Sequence, residues 1–320
     1  MKYSHYNTVF FLLLSVMLHA QKIDNTASYR DIASERYFRI NYDNDFFTAS
    51  DLYYTQGYQL ELVTPWLRKN PVNYLFLKLN NSEQKYGLLF ENLGYIPTSI
   101  KEAGIQYGDR PYAATIALKS FLVSTDTLRK SRLSSSLVLG MIGPVALGNE
   151  IQTGIHKWIG DEIPQGWHNQ ISNDLILDYE LGYEKQLYRF HNLAAINLDT
   201  KAHLGTFNTY ASAGLNATFG LINNPFVPIK NKKKFYAYVF TQPRFKAIGY
   251  DASMQGGIFT HSPYTISGDG IERFVFENNY GIIIQFKTLY FEYFRNDIGK
   301  EFKTRHSHKW AGFKIGFTIL

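Results

Sequence analysis

Phe313, Ile315, Phe317 and Ile319 alternate with Lys314, Gly316, Thr318 and Leu320. Successive side chains of an extended chain point to opposite sides, so this period of two describes a strand with two unlike faces. The alternation recurs in Arg36–Asn41, Tyr58–Val63, Leu133–Gly140, Leu175–Tyr183, Tyr210–Phe219, Phe235–Phe240, Gly281–Phe286 and Thr288–Phe294. Clusters of Asn, Gly, Asp and Pro separate these runs, as turns require. The chain carries 24 Tyr and 24 Phe against 4 Met. Aromatics favour strands, and Tyr suits a membrane interface. A mean hydropathy of -0.23 argues against a bundle of transmembrane helices. It is compatible with a transmembrane β-barrel, where polar and apolar residues average out.

The N-terminus reads as an export signal. Lys2 and His5 precede the apolar run Val9–Leu18, and Ala20 precedes Gln21. The run is too short to span a bilayer as a helix and has the layout of a secretory signal peptide. The expected division is a signal at 1–20 and one barrel domain at 21–320. About 25 residues per strand and connection fit a barrel of 12 antiparallel strands, whose last strand closes against its first. In hydrocarbon every backbone N–H and C=O needs a partner, so the sheet must close. Leu320 stands where the usual terminal aromatic is missing. A soluble β-sandwich explains the alternation but not its combination with an export signal.

The sequence has no cysteine, which excludes disulfides, thiolate nucleophiles and Cys-ligated zinc. A net charge of +6 and a pI near 9.1 suggest an anionic partner: nucleic acid, acidic lipid or phosphorylated glycolipid. No nucleic-acid partner is expected, and the protein is expected to be a monomer. The dense basic run Lys230–Lys234 reads as a solvated loop between strands.

One segment breaks the strand pattern. Asn149–Trp158 places Ile151, Ile155 and Trp158 on one face of a helix, and a helix is expected near residues 149–159. It carries Gln152 and His156, four residues apart and therefore one turn from each other. Asn44 and Asp45 end the first strand and Thr55 begins the second, so a hairpin brings them to one rim. Glu162 follows the helix. Asp-Asn clusters also form turns, and a helical His is often structural, so spacing alone makes these residues candidates only.

Four blocks carry a resemblance. The first is Asn44-Asp45-Phe46-Phe47 with Ser50-Asp51-Leu52-Tyr53-Tyr54-Thr55-Gln56-Gly57. The second is Gly108-Asp109-Arg110-Pro111-Tyr112-Ala113. The third is Ile142-Gly143-Pro144 with Gln152 and Gly154–Gly160, and the fourth is Pro164–Ile171 with Asn173. Together, over about residues 38 to 185, they resemble the outer-membrane lipid A 3'-O-deacylase family of the LpxR type. The resemblance implies a 12-stranded outer-membrane barrel that removes the 3'-acyloxyacyl chain of lipid A by calcium-dependent ester hydrolysis. It also implies an active site between the barrel wall and a loop helix. Residue by residue it makes Asn44, Asp45, Thr55, Gln152 and His156 catalytic candidates, with His156 as general base. Asp45 and Glu162 become candidate Ca2+ ligands or groups that orient His156, and Arg110 a rim buttress that could also meet a lipid phosphate. His168 stands where an acidic residue is frequent in the family.

The chemistry of these residue types agrees. A neutral imidazole can take a proton from water near neutral pH. No Gly-x-Ser-x-Gly elbow occurs, so no serine acyl-enzyme is suggested. Carboxylate, amide and hydroxyl oxygens are hard ligands suited to calcium. Two other readings share the location: an outer-membrane phospholipase with the same chemistry, and a non-enzymatic envelope barrel or porin.

Overall fold

The computed structural model describes residues 32–48, 52–229, 234–304 and 306–319. The signal peptide expected at 1–20 and most of the basic run, 230–233, lie outside the described residues. Twelve antiparallel strands form a closed barrel in which each strand pairs with its chain neighbours. They are β1 (Tyr37–Asn44), β2 (Gln56–Val63), β3 (Glu83–Tyr95), β4 (Ala113–Asp126), β5 (Ser131–Ile142) and β6 (Asp174–Phe190). They continue as β7 (Ala194–Gly205), β8 (Asn208–Leu221), β9 (Phe235–Asp251), β10 (Phe274–Phe286), β11 (Leu289–Lys300) and β12 (Ser307–Thr318). The expected closure is present: β12 pairs with β1, with Ile40 opposite Ile315.

The alternation sorts side chains between wall and lumen. Ile40, Leu60, Leu118, Leu139 and Leu177 all point outward and are exposed. They pair across the strands, Ile40 with Leu60, and Leu139 with Leu118 on one side and Leu177 on the other. This apolar band is what a hydrocarbon environment selects. The inward residues are polar and paired. Arg39 meets Glu61 at 2.8 Å, Arg132 meets Glu184 at 2.9 Å and Lys314 meets Glu292 at 2.9 Å. Arg244 lies between Asp199 and Glu277, 3.2 Å from each. All nine of these residues are buried. Buried charges are tolerated only when paired, and here they fill the middle of the barrel. The filled lumen is unlike the water-filled passage that a porin requires.

Apolar clusters close both ends of this polar middle. Tyr37, Val63, Tyr236 and Tyr290 belong to one, and Tyr53, Tyr54, Tyr95 and Trp310 to the other. The connections 96–112, 143–173 and 252–273 lie at the second end beside the short turn 206–207; the opposite end carries 64–82 and turns as short as 287–288. The candidate residues gather at the second, loop-rich end.

Strands β3, β4 and β7 are absent from the expected set. Residues Asn92–Tyr95 of β3 are buried on both faces, as are Ala113–Thr115 of β4, because the long loops cover the outer wall there. Covering both faces erases the alternation. In β7 the inward Asn197, Asp199 and Lys201 alternate with the outward Ile196, Leu198 and Thr200, so the pattern is present there though outside the expected set.

Candidate active site

The helix expected near 149–159 is present as α1 (Gly148–Ile159). It lies on the outer wall of the barrel. Ala113 belongs to the lumenal cluster and its neighbour Ala114 to a separate cluster with Ala146, Tyr112 and Trp167, so the latter sits on the opposite face. A Cβ on Gly148 would approach the Ala114 Cβ to 2.5 Å and the Trp167 ring to 2.6 Å. Only glycine lets the start of the helix seat this closely.

The helix turns its polar stripe to the barrel. Gly148, Gln152 and His156, at spacing four, are its buried residues. The apolar residues that made it legible are turned elsewhere: Ile151 and Ile155 are half-buried and Trp158 is 86% exposed. An amphipathic helix with its indole outward at the edge of a barrel suits a membrane interface.

Gln152 is held at both ends of its amide. Its Oε1 accepts the Trp167 indole N–H at 2.7 Å, and its Nε2 donates to Thr55 Oγ1 at 3.2 Å. An indole N–H can only donate, so Trp167 fixes which way the amide points. The structure thus joins α1 to the residue that precedes β2. Trp167 was not anticipated; it lies 15 residues beyond Gln152, and no periodicity links them.

One turn further, His156 Nδ1 bonds to the backbone carbonyl of Glu162 at 2.5 Å. Gly160 makes this possible. It takes the left-handed conformation at φ 75°, and the N–H of Gly160 and of Asp161 both return to the His156 carbonyl. The reversal brings Glu162 back under the imidazole. A carbonyl only accepts, so Nδ1 carries the proton and the Nε2 lone pair remains to accept one. His168 differs: it is exposed and its Nε2 accepts from Asn169 Nδ2 at 3.0 Å.

The other candidates take separate positions. Asn44 ends β1 with its Oδ1 accepting the Phe46 N–H at 2.7 Å and its Nδ2 donating to the Tyr42 hydroxyl at 3.2 Å. Asp45 is buried, and its Oδ2 accepts the Leu52 N–H at 2.7 Å, pinning the β1–β2 connection. The Glu162 carboxylate is on the surface, 2.9 Å from the Lys101 ammonium. Their hydrogen bond and opposite charge hold Lys101 above the ordinary lysine range. Arg110 is enclosed in the mouth of the barrel, bonded to Glu301 and to Ser253 Oγ, with its guanidinium 4.5 Å from the centre of the Tyr95 ring. It serves there as the rim buttress.

The oxygen donors therefore do not converge on a cation. The Glu162 carboxylate is turned to Lys101 and that of Asp45 to Leu52. Among the described residues no group of three or more His, Asp or Glu side chains is placed to hold a metal ion.

A closed 12-stranded barrel with an apolar outer band and a packed lumen defines an outer-membrane barrel, and a histidine-bearing helix is seated on its outer wall. The chain belongs to the family of the outer membrane protein LpxR, whose family model matches residues 8–319. Among solved structures it is similar to LpxR from Salmonella typhimurium, at a TM-score of 0.74 and 18% identity, over 88% of this chain and 100% of that one. The β domain of the Bordetella autotransporter BrkA matches at a TM-score of 0.47 and 8% identity, over 89% of this chain and 100% of that one. No curated protein matches the sequence.

Proposed function

We propose that the protein is an ester hydrolase of the outer membrane that removes the 3'-acyloxyacyl chain of lipid A with water activated by His156. The observation that carries this reading is the bond between His156 Nδ1 and the Glu162 carbonyl, which leaves Nε2 as the basic nitrogen. In the reaction, Nε2 takes a proton from water as the oxygen attacks the ester carbonyl. The imidazolium then gives that proton to the departing sugar alkoxide, and the fatty acid leaves as a carboxylate. Gln152 acts through position: it locks the turn before His156 to Trp167 and Thr55. Family membership and the lipid-side placement of α1 support a lipid substrate. Calcium dependence, with Asp45 and Glu162 as ligands, rests on the resemblance alone; such an ion supplies positive charge to the ester carbonyl oxygen when bound.

The test is mass spectrometry of lipids from cells carrying the intact protein, the His156→Ala variant, or neither. Loss of the mass of the 3'-acyloxyacyl chain only with the intact protein is expected. Deacylated glycerophospholipid in its place makes the protein a phospholipase, and no lipid change in any sample leaves a non-enzymatic barrel.

A further inference from the structure

The outer wall carries a second polar site, on β8–β12. Two cavities of about 620 and 670 Å³ adjoin there and share Tyr280, Arg295 and Asp297. One reaches Leu52 and Lys309 at the loop end, beside the connection pinned by Asp45. The other runs down the wall over Ala217, Phe219, Val239 and Ile282. The groove is therefore charged at the top and apolar below.

Arg295 is the anomaly. It points outward, like Tyr293 and Asp297 on the same strand, while Phe294 and Asn296 point into the lumen. It lies opposite Tyr280 on β10. Its Nε is buried without a hydrogen-bond partner, and among the described residues no carboxylate lies within ion-pair distance of its guanidinium. Asp297 interacts instead with the Tyr280 hydroxyl and stands opposite Lys309. An uncompensated guanidinium on a lipid-facing wall is destabilising unless an anion meets it. With Lys309 and Asp297 cancelling, Arg295 leaves the groove one net positive charge.

We propose that this groove binds a phosphorylated, multiply acylated glycolipid, with a phosphate on Arg295 and an acyl chain along Phe219, Val239 and Ile282. A guanidinium is well matched to phosphate oxygens. The groove opens at the loop end, where α1 also lies, so it takes a lipid from the same leaflet. The proposal rests on the hydrolase reading only for the identity of the lipid.

The experiment uses delipidated full-length protein carrying His156→Ala, so that no ester is cleaved. Native mass spectrometry follows the binding of bisphosphorylated lipid A, of the same lipid A without phosphates, and of phosphatidylglycerol. Arg295→Gln should weaken binding of bisphosphorylated lipid A about tenfold, the loss of one charge-assisted hydrogen bond. It should leave the dephosphorylated lipid unchanged, and Arg295→Lys should retain part of the binding. Heat-shifted gel mobility reports that each variant is folded. Equal binding by Arg295→Gln, or dependence on Arg295 without dependence on phosphate, overturns the site. Stronger binding of phosphatidylglycerol overturns the assigned lipid. Hydrolysis by protein with intact His156 is scored separately: phosphate binding through Arg295 without any hydrolysis keeps the groove and removes the proposed activity.

Discussion

The backbone carbonyl of Glu162 accepts the Nδ1 proton of His156, six residues earlier, across the end of α1. The bond exists because Gly160 reverses the chain at a positive φ. Sequence motif, helix cap and tautomer are thus one device. Exchanging His156 for Ala or Asn should leave the barrel folded and heat-modifiable while turnover falls about 10²–10⁴-fold, as expected for loss of a positioned base. A folded His156→Ala variant that keeps most of its turnover refutes the assignment, and His168 becomes the next residue to exchange.

Gly160 itself should be sensitive. Any side chain at this φ strains the backbone, by roughly 1–2 kcal/mol for a residue with a Cβ. Nothing crowds the position, so the strain is conformational and local. Gly160→Val should lower turnover while the barrel's heat-modified mobility stays normal, and Gly160→Asn should be milder. Equal turnover in Gly160→Val and the unaltered protein means that the helix cap does not set the imidazole.

Gln152→Leu removes the bridge between Trp167 and Thr55. It strands the indole N–H in a buried place, at a cost of about 1–3 kcal/mol. The loop 143–173 should then dissociate more readily from the wall and be cut faster by protease, with the strands still protected. Proteolysis at the unaltered rate shows that the bridge contributes little to seating the helix.

The barrel was largely legible because its lumen and wall make opposite demands on alternate residues. Lys314 among Phe313 and Ile315 is a clear case: it meets Glu292 inside while they face outward. β3 and β4 were hard to read at their loop ends, where the loop layer buries both faces of Asn92–Tyr95 and Ala113–Thr115. At the site, the motifs located Gln152, Thr55 and His156. They could not show that Glu162 offers its carbonyl to His156 and its carboxylate to Lys101. Both facts depend on a single reversed peptide at Gly160.

The wall gives a graded prediction. Leu118 is central in β4 and 50% exposed, and Phe317 is 48% exposed but one residue from the end of β12. Arginine on a lipid face costs about 2–4 kcal/mol at the midplane and about 0–1 near the interface. Leu118→Arg should therefore destabilise the barrel strongly in denaturant titrations in lipid, and Phe317→Arg only slightly. Equal costs at the two positions place the membrane elsewhere on the wall.

The last prediction concerns calcium, for which the oxygens are present but turned aside. If the ion takes part, chelation abolishes hydrolysis and added calcium restores it. Activity that persists in excess chelator removes the ion from the reaction. The ligand role of Glu162 can be separated from that question, because its carboxylate is shared with Lys101 at 2.9 Å on the surface. A cation that binds Glu162 has to displace this ammonium, and removing the competitor makes displacement easier. Exposed ion pairs are screened by solvent and weak, so the competition is modest. Lys101→Gln should accordingly lower the calcium concentration giving half-maximal activity by up to about fivefold, a shift within the worth of such a pair. Glu162→Gln should raise it, even where maximal turnover also changes. A half-maximal concentration that neither exchange moves shows that the Glu162 carboxylate is not a ligand, and that its part in the site is the carbonyl it gives to His156.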